Sequence, residues 1–220
     1  DEESREFRKE WFVYRKLEDV LDLSTRRFIT VDPASAMRDK SDFIGVVVNF
    51  EDRENKWNLM SYKVKVDSMG LIDFILKLHT DYRPESIGIE EGVYQQTIKP
   101  FLNEECRKRN IYPYIVELKH QQQNKHLRIR GLVPRYSTQS IYHIKGYCDE
   151  LEAELIRFPK ATHDDVADAA AYQLQVAQAP VSQQAQASPG WRPDYMSDLD
   201  FSSGSIDVFA GRPDVRGSRK

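Results

Sequence analysis

Four acids stand where short apolar runs stop or where a helix begins. Asp32 ends FITVD, Glu90 ends SIGIE, and Asp165 and Asp168 lie three residues apart in THDDVADAAAY. A three-residue step puts two side chains on one helix face. If the two strands run parallel and side by side, their ends adjoin, and a helix packed over that edge brings its first acidic turn beside them. At least three carboxylates then share one place. Their repulsion is relieved by divalent cations about 3.5–4 Å apart, one activating water and the other stabilising a departing 3′ oxygen, which is the chemistry of a metal-dependent nuclease. Each acid also has an ordinary use. Asp32 followed by Pro33 suits a turn, Glu90 and Glu91 suit a loop, and Asp164 and Asp165 suit a helix N-terminus, where negative charge contributes about 0.3–1 kcal/mol. Their joint occurrence, in this order and on these elements, favours the shared site.

The elements that must position them are readable from periodicity. Phe7, Trp11, Tyr14 and Leu17 recur at three- and four-residue steps, so residues 1–27 read as an amphipathic connector helix with a turn near Ser24. FITVD (28–32), FIGVVVNF (43–50) and NLMSYKVKV (58–66) are three strands, the last two joined by a charged hairpin turn. A helix from Ser68 to Thr80 with Ser68 as its N-cap follows, then the strand SIGIE (86–90) and a helix over 93–110 interrupted at Pro100. YPYIVEL (112–118) is the fifth strand, NKHLRIRGLVP (124–134) a short helical segment and SIYHI (140–144) an extended piece. DELEAELIRF (149–158) is a helix stopped by Pro159, and residues 162–178 form the last helix, begun by Thr162. A strand meander followed by alternating helices and strands is an α/β order, a mixed sheet of five or more strands flanked by helices. From Ala179 onward, Gln, Ser, Gly, Pro and Asp dominate, which reads as a flexible tail with spaced Trp191, Tyr195, Phe201 and Phe209.

Charge and composition narrow the classes. The formal net charge of −3 gives no global attraction to nucleic acid, yet no Asp or Glu lies from Leu118 to Cys148. Lys119, Lys125, Arg128, Arg130, Arg135 and Lys145 fall there, with Lys125, Arg128, Arg130 and Arg135 as the expected DNA contacts. Cys106 and Cys148 have no Cys-x-x-Cys spacing and read as ordinary thiols. No run approaches the roughly 18 apolar residues of a membrane span, and no signal peptide is read in the charged first residues.

Three motifs carry a resemblance. FITVDPASAMRDKSDFIGVVV, SIGIEEGVYQQTIKPFL and THDDVADAAAY resemble, in order, the three acidic motifs of the nuclease domain of tailed-bacteriophage terminase large subunits, a branch of the RNase H-like (RuvC-like) family. Lys125 to Pro134, read as K-x-x-R-x-x-x-L-x-P, is similar to a further pattern of that family. The likeness spans residues 28–178. It implies an RNase H-like fold and a two-metal-ion endodeoxyribonuclease that uses Mg²⁺ or Mn²⁺ to cut concatemeric viral DNA during genome packaging in the host cell cytoplasm. Asp32, Glu90, Asp165 and Asp168 are the implied metal ligands, with Glu91 and Asp164 as alternatives. Implied partners are double-stranded DNA, an ATPase domain of the same polypeptide, the small terminase subunit and the portal. No G-x-x-x-x-G-K-[ST] phosphate loop is present, so the ATPase is expected outside these residues. A Holliday junction resolvase or transposase core would place its acids on the same elements. An ATP-binding module of the actin or sugar-kinase kind is disfavoured, since Pro33-Ala34-Ser35 stands where a glycine-rich phosphate turn is needed.

Overall fold

The computed structural model describes residues 5–33, 43–119, 125–161 and 164–178. The chain divides into two units, Asp1–Ala179 and Pro180–Lys220. The expected tail, Ser41, Asp42, Thr162 and His163 lie outside the described residues.

Seven strands form one sheet: β1 (Val13–Arg15), β2 (Ser24–Asp32), β3 (Ile44–Asp52), β4 (Trp57–Val64), β5 (Ser86–Glu90), β6 (Ile115–Leu118) and β7 (Ile141–Ile144). Their spatial order is β1-β7-β4-β3-β2-β5-β6. β2, β3 and β4 are an antiparallel meander, while β5 and β6 add in parallel beside β2, and β7 and β1 add in parallel beside β4. The expected meander and the parallel pairing of the strands that end in Asp32 and Glu90 are both present. The extended piece at 140–144 is a true strand that extends the sheet to seven.

Alternation along β2 and β3 divides the core. Ile29, Val31, Val46 and Val48 face α2 (Ser68–Tyr82) and α4 (Lys99–Arg109). Phe28 and Val47 face the opposite layer, where α5 (Lys125–Arg130), α6 (Val133–Ser137), α7 (Asp149–Arg157) and α8 (Asp165–Val176) pack. Thr30 and Asp32 follow Phe28 at period two and so share the α8 side. Among the described residues no helix is long and apolar enough to cross a membrane.

The N-terminal segment departs from the expected helix. It is a 3₁₀ turn (Lys9–Trp11), then β1, then α1 (Leu17–Leu23), running directly into β2. Two of its aromatics are core. Phe7 is fully buried edge-on to Tyr136 and Phe158, and Phe12 packs on Tyr136 and His143. Tyr14 Oη donates to Glu152, which also holds His143 Nδ1 at 2.7 Å. Strand pairing to the otherwise open edge of β7, with Phe7 and Phe12 buried in the core, outweighs the helical spacing of the apolar residues.

Two smaller corrections concern helix ends. Asp67, not Ser68, caps α2, its side chain accepting from Gly70 N–H at 2.8 Å. The interruption near Pro100 takes the form of α3 (Glu91–Val93), a π-helical stretch Tyr94–Ile98 and then α4. Lys99 N–H reaches back five residues to the Tyr94 carbonyl, and Pro100 has no N–H with which to restore the α register.

Candidate active site

Strand ends and one helix N-terminus converge as the spacing requires. Val31 pairs with Ile89 in the parallel β2–β5 ladder, so the next residues, Asp32 and Glu90, end adjoining strands. Ile87 and Ile89 point into the α2–α4 layer, which leaves Glu90 on the side of α8. Glu90 is half-buried, while Glu91 is exposed in the turn that follows. Asp165 and Asp168 occupy the first turn of α8 and are buried, and Asp164 sits at its N-cap position.

Close approach brings this turn onto the sheet. Gly45 lies opposite Asp32 in the β2–β3 ladder, and a Cβ there would stand 2.2 Å from the Asp165 carbonyl oxygen. Only glycine lets the helix backbone approach so near. Further along α8, Thr30 Oγ1 donates to the Ala169 carbonyl at 2.6 Å, and Gln173 Nε2 donates to Thr30 Oγ1 at 2.9 Å and to the Val47 carbonyl at 3.1 Å. Four alanines at 167, 169, 170 and 171 keep the buried helix slim enough to lie on β2 and β3.

One cation stands at the centre of the acids. Lys125 Nζ lies 2.8 Å from Asp164, 3.6 Å from Asp165, 3.7 Å from Asp32 and 3.8 Å from Asp168. Burial alone would lower the Lys125 pKa. The negative charge of Asp32 and the contacts with Asp164 and Asp168 outweigh it and raise the pKa well above the ordinary lysine value. Arg128 grips Asp168 with two parallel bonds, Nε–Oδ1 at 2.7 Å and Nη2–Oδ2 at 2.6 Å, with both side chains buried. Its guanidinium carbon also lies 4.5 Å from the centre of the Tyr172 ring. Burial first, then the charges of Asp168, Glu90 and Asp32, hold the Tyr172 phenol protonated far into the alkaline range, against the opposing effect of Arg128. Tyr172 therefore senses the acids of α8, β2 and β5 together.

The donor set suits a hard divalent cation: oxygen ligands only, and four carboxylates already gathered around one positive charge. Among the described residues no three acid, histidine or cysteine side chains stand in ready metal-holding geometry, and the carboxylates gathered here lie around the Lys125 ammonium.

The expected basic face is not one face. Lys125 lies within the acid cluster, and Arg128 is buried on Asp168. Arg130 pairs with Glu6 through two bonds of 2.7 and 2.8 Å, and Arg135 stacks over Trp57 at 3.9 Å while donating to the Asn55 carbonyl. A run without acids recruits acids from elsewhere in the chain, which a sequence window does not reveal. The two cysteines are the buried thiols expected, and burial pushes Cys148 up to about 12. Reasoning from the sequence missed Gly45 and Tyr172. The signal for Gly45 was present, a glycine inside an otherwise β-branched strand.

No protein-family model matches the chain, and no curated protein matches it. Solved structures do. The large terminase of bacteriophage HK97 superposes with a TM-score of 0.56 at 11% identity, covering 79% of this chain and 43% of the terminase. A lysine-to-alanine variant of the nuclease domain of the large terminase subunit gp2 of bacterial virus Sf6, with manganese and beta-thujaplicinol, gives a TM-score of 0.53 at 11% identity. There the match covers 80% of this chain and 99% of that domain. The chain thus spans less than half the length of the HK97 protein and nearly all of the Sf6 nuclease domain. With its meander, its parallel additions and helices on both faces, the chain has a mixed seven-stranded α/β fold that matches the fold of phage large-terminase nuclease domains.

Proposed function

We propose that this chain is the nuclease part of a viral DNA-packaging terminase large subunit and hydrolyses DNA phosphodiester bonds with divalent metal ions. The observation that carries the reading is the gathering of Asp32, Asp164, Asp165 and Asp168 around one half-buried positive charge, that of Lys125, beside the strand end that bears Glu90.

Asp32, Glu90, Asp165 and Asp168 are the proposed ligands, with Asp164 available at the rim. Two Mg²⁺ or Mn²⁺ ions, when bound, lower the pKa of an attacking water and neutralise charge on the leaving oxygen. The protein's own part is to hold the carboxylates in place. Arg128 fixes the Asp168 carboxylate by two bonds, Gly45 admits the backbone of Asp165, and Thr30 and Gln173 lock α8 on the sheet. Lys125 neutralises the cluster as it stands, at the place that bound cations would take over. Exposed Lys119, just past β6, and Arg130 are proposed phosphate contacts at the rim. The substrate is concatemeric double-stranded viral DNA, and the partners are an ATPase domain of the same polypeptide, the small terminase subunit and the portal, in the host cytoplasm.

Supercoiled plasmid tests the reading. Nicked and linear products should form with Mn²⁺ or Mg²⁺ and vanish with chelator. Absence of products under every metal condition, from a folded preparation, contradicts it.

A further inference from the structure

The aspartates at the start of α8 would ordinarily be consumed by the helix they begin. The first N–H groups of a helix have no intrahelical partner, and an Asp at the N-cap or in the first turn is a usual acceptor for them. Here the Asp164 side chain makes no such bond. The acceptor comes from another helix. Glu154, on α7, is 5% exposed, and its Oε2 accepts from both Val166 N–H and Ala167 N–H at 2.9 Å. Its other oxygen lies 3.1 Å from Lys63 Nζ on β4 and accepts from it. Glu154 shares the inner face of α7 with Leu151 and Leu155, an acid set in an apolar stripe.

We propose that Glu154 and Lys63 form a positioning pair for the metal-binding carboxylates, taking over the capping of α8 so that Asp164, Asp165 and Asp168 turn toward Lys125 and Asp32 instead. The proposal rests on the nuclease reading above and adds to it a residue pair outside the acid cluster. Geometry leaves few alternatives for this end of the helix. Asp165 is pressed against Gly45, so the turn cannot move toward the sheet, and Glu154 holds it from the α7 side. Without that acceptor, Asp164, at the N-cap position, is placed to rotate back onto the free N–H groups, and it would leave its position 2.8 Å from Lys125.

Three variants test this. Glu154→Ala should weaken Mn²⁺ binding by tenfold or more and lower kcat on plasmid, with KM for DNA nearly unchanged. It should also speed amide hydrogen exchange at Val166 and Ala167 by at least tenfold. Glu154→Gln keeps the volume and one acceptor oxygen but turns an NH₂ toward the Lys63 ammonium, so its losses should be intermediate. Adding Lys63→Met to Glu154→Gln removes that clash and should restore Mn²⁺ affinity to within about threefold of the unaltered chain, since the Lys63 ammonium, part-buried and left with only Glu150 at 3.5 Å, no longer faces the Gln NH₂. Should Glu154→Ala fail to fold, the comparison of Glu154→Gln with and without Lys63→Met decides the matter. Unchanged Mn²⁺ affinity and exchange in a folded Glu154→Ala, or a double variant no better than Glu154→Gln, overturns the proposal. If the unaltered chain neither binds Mn²⁺ nor cuts, the nuclease reading fails by itself, and the exchange of the Val166 and Ala167 amides still decides whether Glu154 holds the turn.

Discussion

Lys125 carries a positive charge into a place that four carboxylates make strongly negative, and against the opposing effect of burial they raise its pKa above the ordinary lysine value. The folded-state value lies above that of a free lysine. The stability these contacts contribute is therefore fully present at neutral pH and is lost only as the pH climbs through the folded value, well into the alkaline range. Removing the charge leaves buried acids facing one another. Lys125→Met should lower the melting temperature of the metal-free chain by several degrees at pH 7, on the order of 1–3 kcal/mol. Added Mn²⁺ should then raise it by more than it raises the unaltered chain. Thermal melts with and without Mn²⁺ check this, and equal Mn²⁺ shifts would mean that lysine and metal do not share the site. Of the acids themselves, Asp32, Glu90 and Asp165 were legible because each ends or begins an element, and Asp168 because it follows Asp165 by three residues on the same helix face. Lys125 was legible only as one cation in a basic run, since nothing local says that residues 32 and 164–168 surround it.

Among the elements, β2, β5 and α8 were readable in outline because apolar alternation and helical period are local signals, and each ends near an acid. β1 was not. Val13–Arg15 becomes a strand because β7, far along the chain, offers it a parallel partner, and Phe7 and Phe12 become core because Tyr136, Phe158 and His143 receive them. Helical spacing of Phe7, Trp11, Tyr14 and Leu17 pointed elsewhere, and long-range pairing prevailed. A consequence follows for any fragment starting at Phe28. Removing one buried Phe side chain commonly costs about 3–5 kcal/mol, and removing two together with β1 would exhaust much of a typical domain stability of about 5–15 kcal/mol. Such a fragment should show a broad, low-temperature melt and bind a hydrophobic dye, whereas a fragment starting at Arg5 should melt cooperatively. Equal melting of the two would show that the segment merely decorates the sheet. The π-helical stretch Tyr94–Ile98 was foreshadowed by Pro100, but only as a break of unstated form.

At the scale of the molecule, the mixed sheet brings the adjoining ends of β2 and β5 under the first turn of α8, where the proposed chemistry is placed. It does not set where DNA lies. With Arg128 committed to Asp168 and Arg135 to Trp57, the proposed path depends on exposed Lys119 and on Arg130, whose exposed pair with Glu6 a phosphate would have to displace. Replacing both by Ala should make the salt dependence of DNA binding shallower by about 0.9 in log–log slope for each phosphate that is no longer neutralised. A binding titration across salt concentrations measures it, and an unchanged slope would remove both residues from the interface. The central claim is that the gathered carboxylates bind the metal that cuts DNA, and Asp32→Asn beside the unaltered chain addresses it most directly. The account expects a variant with the same circular dichroism and DNA affinity, Mn²⁺ binding weakened by at least tenfold, and plasmid cleavage lower by two or more orders of magnitude. A folded Asp32→Asn chain that binds Mn²⁺ and cuts plasmid at the unaltered rate would contradict it.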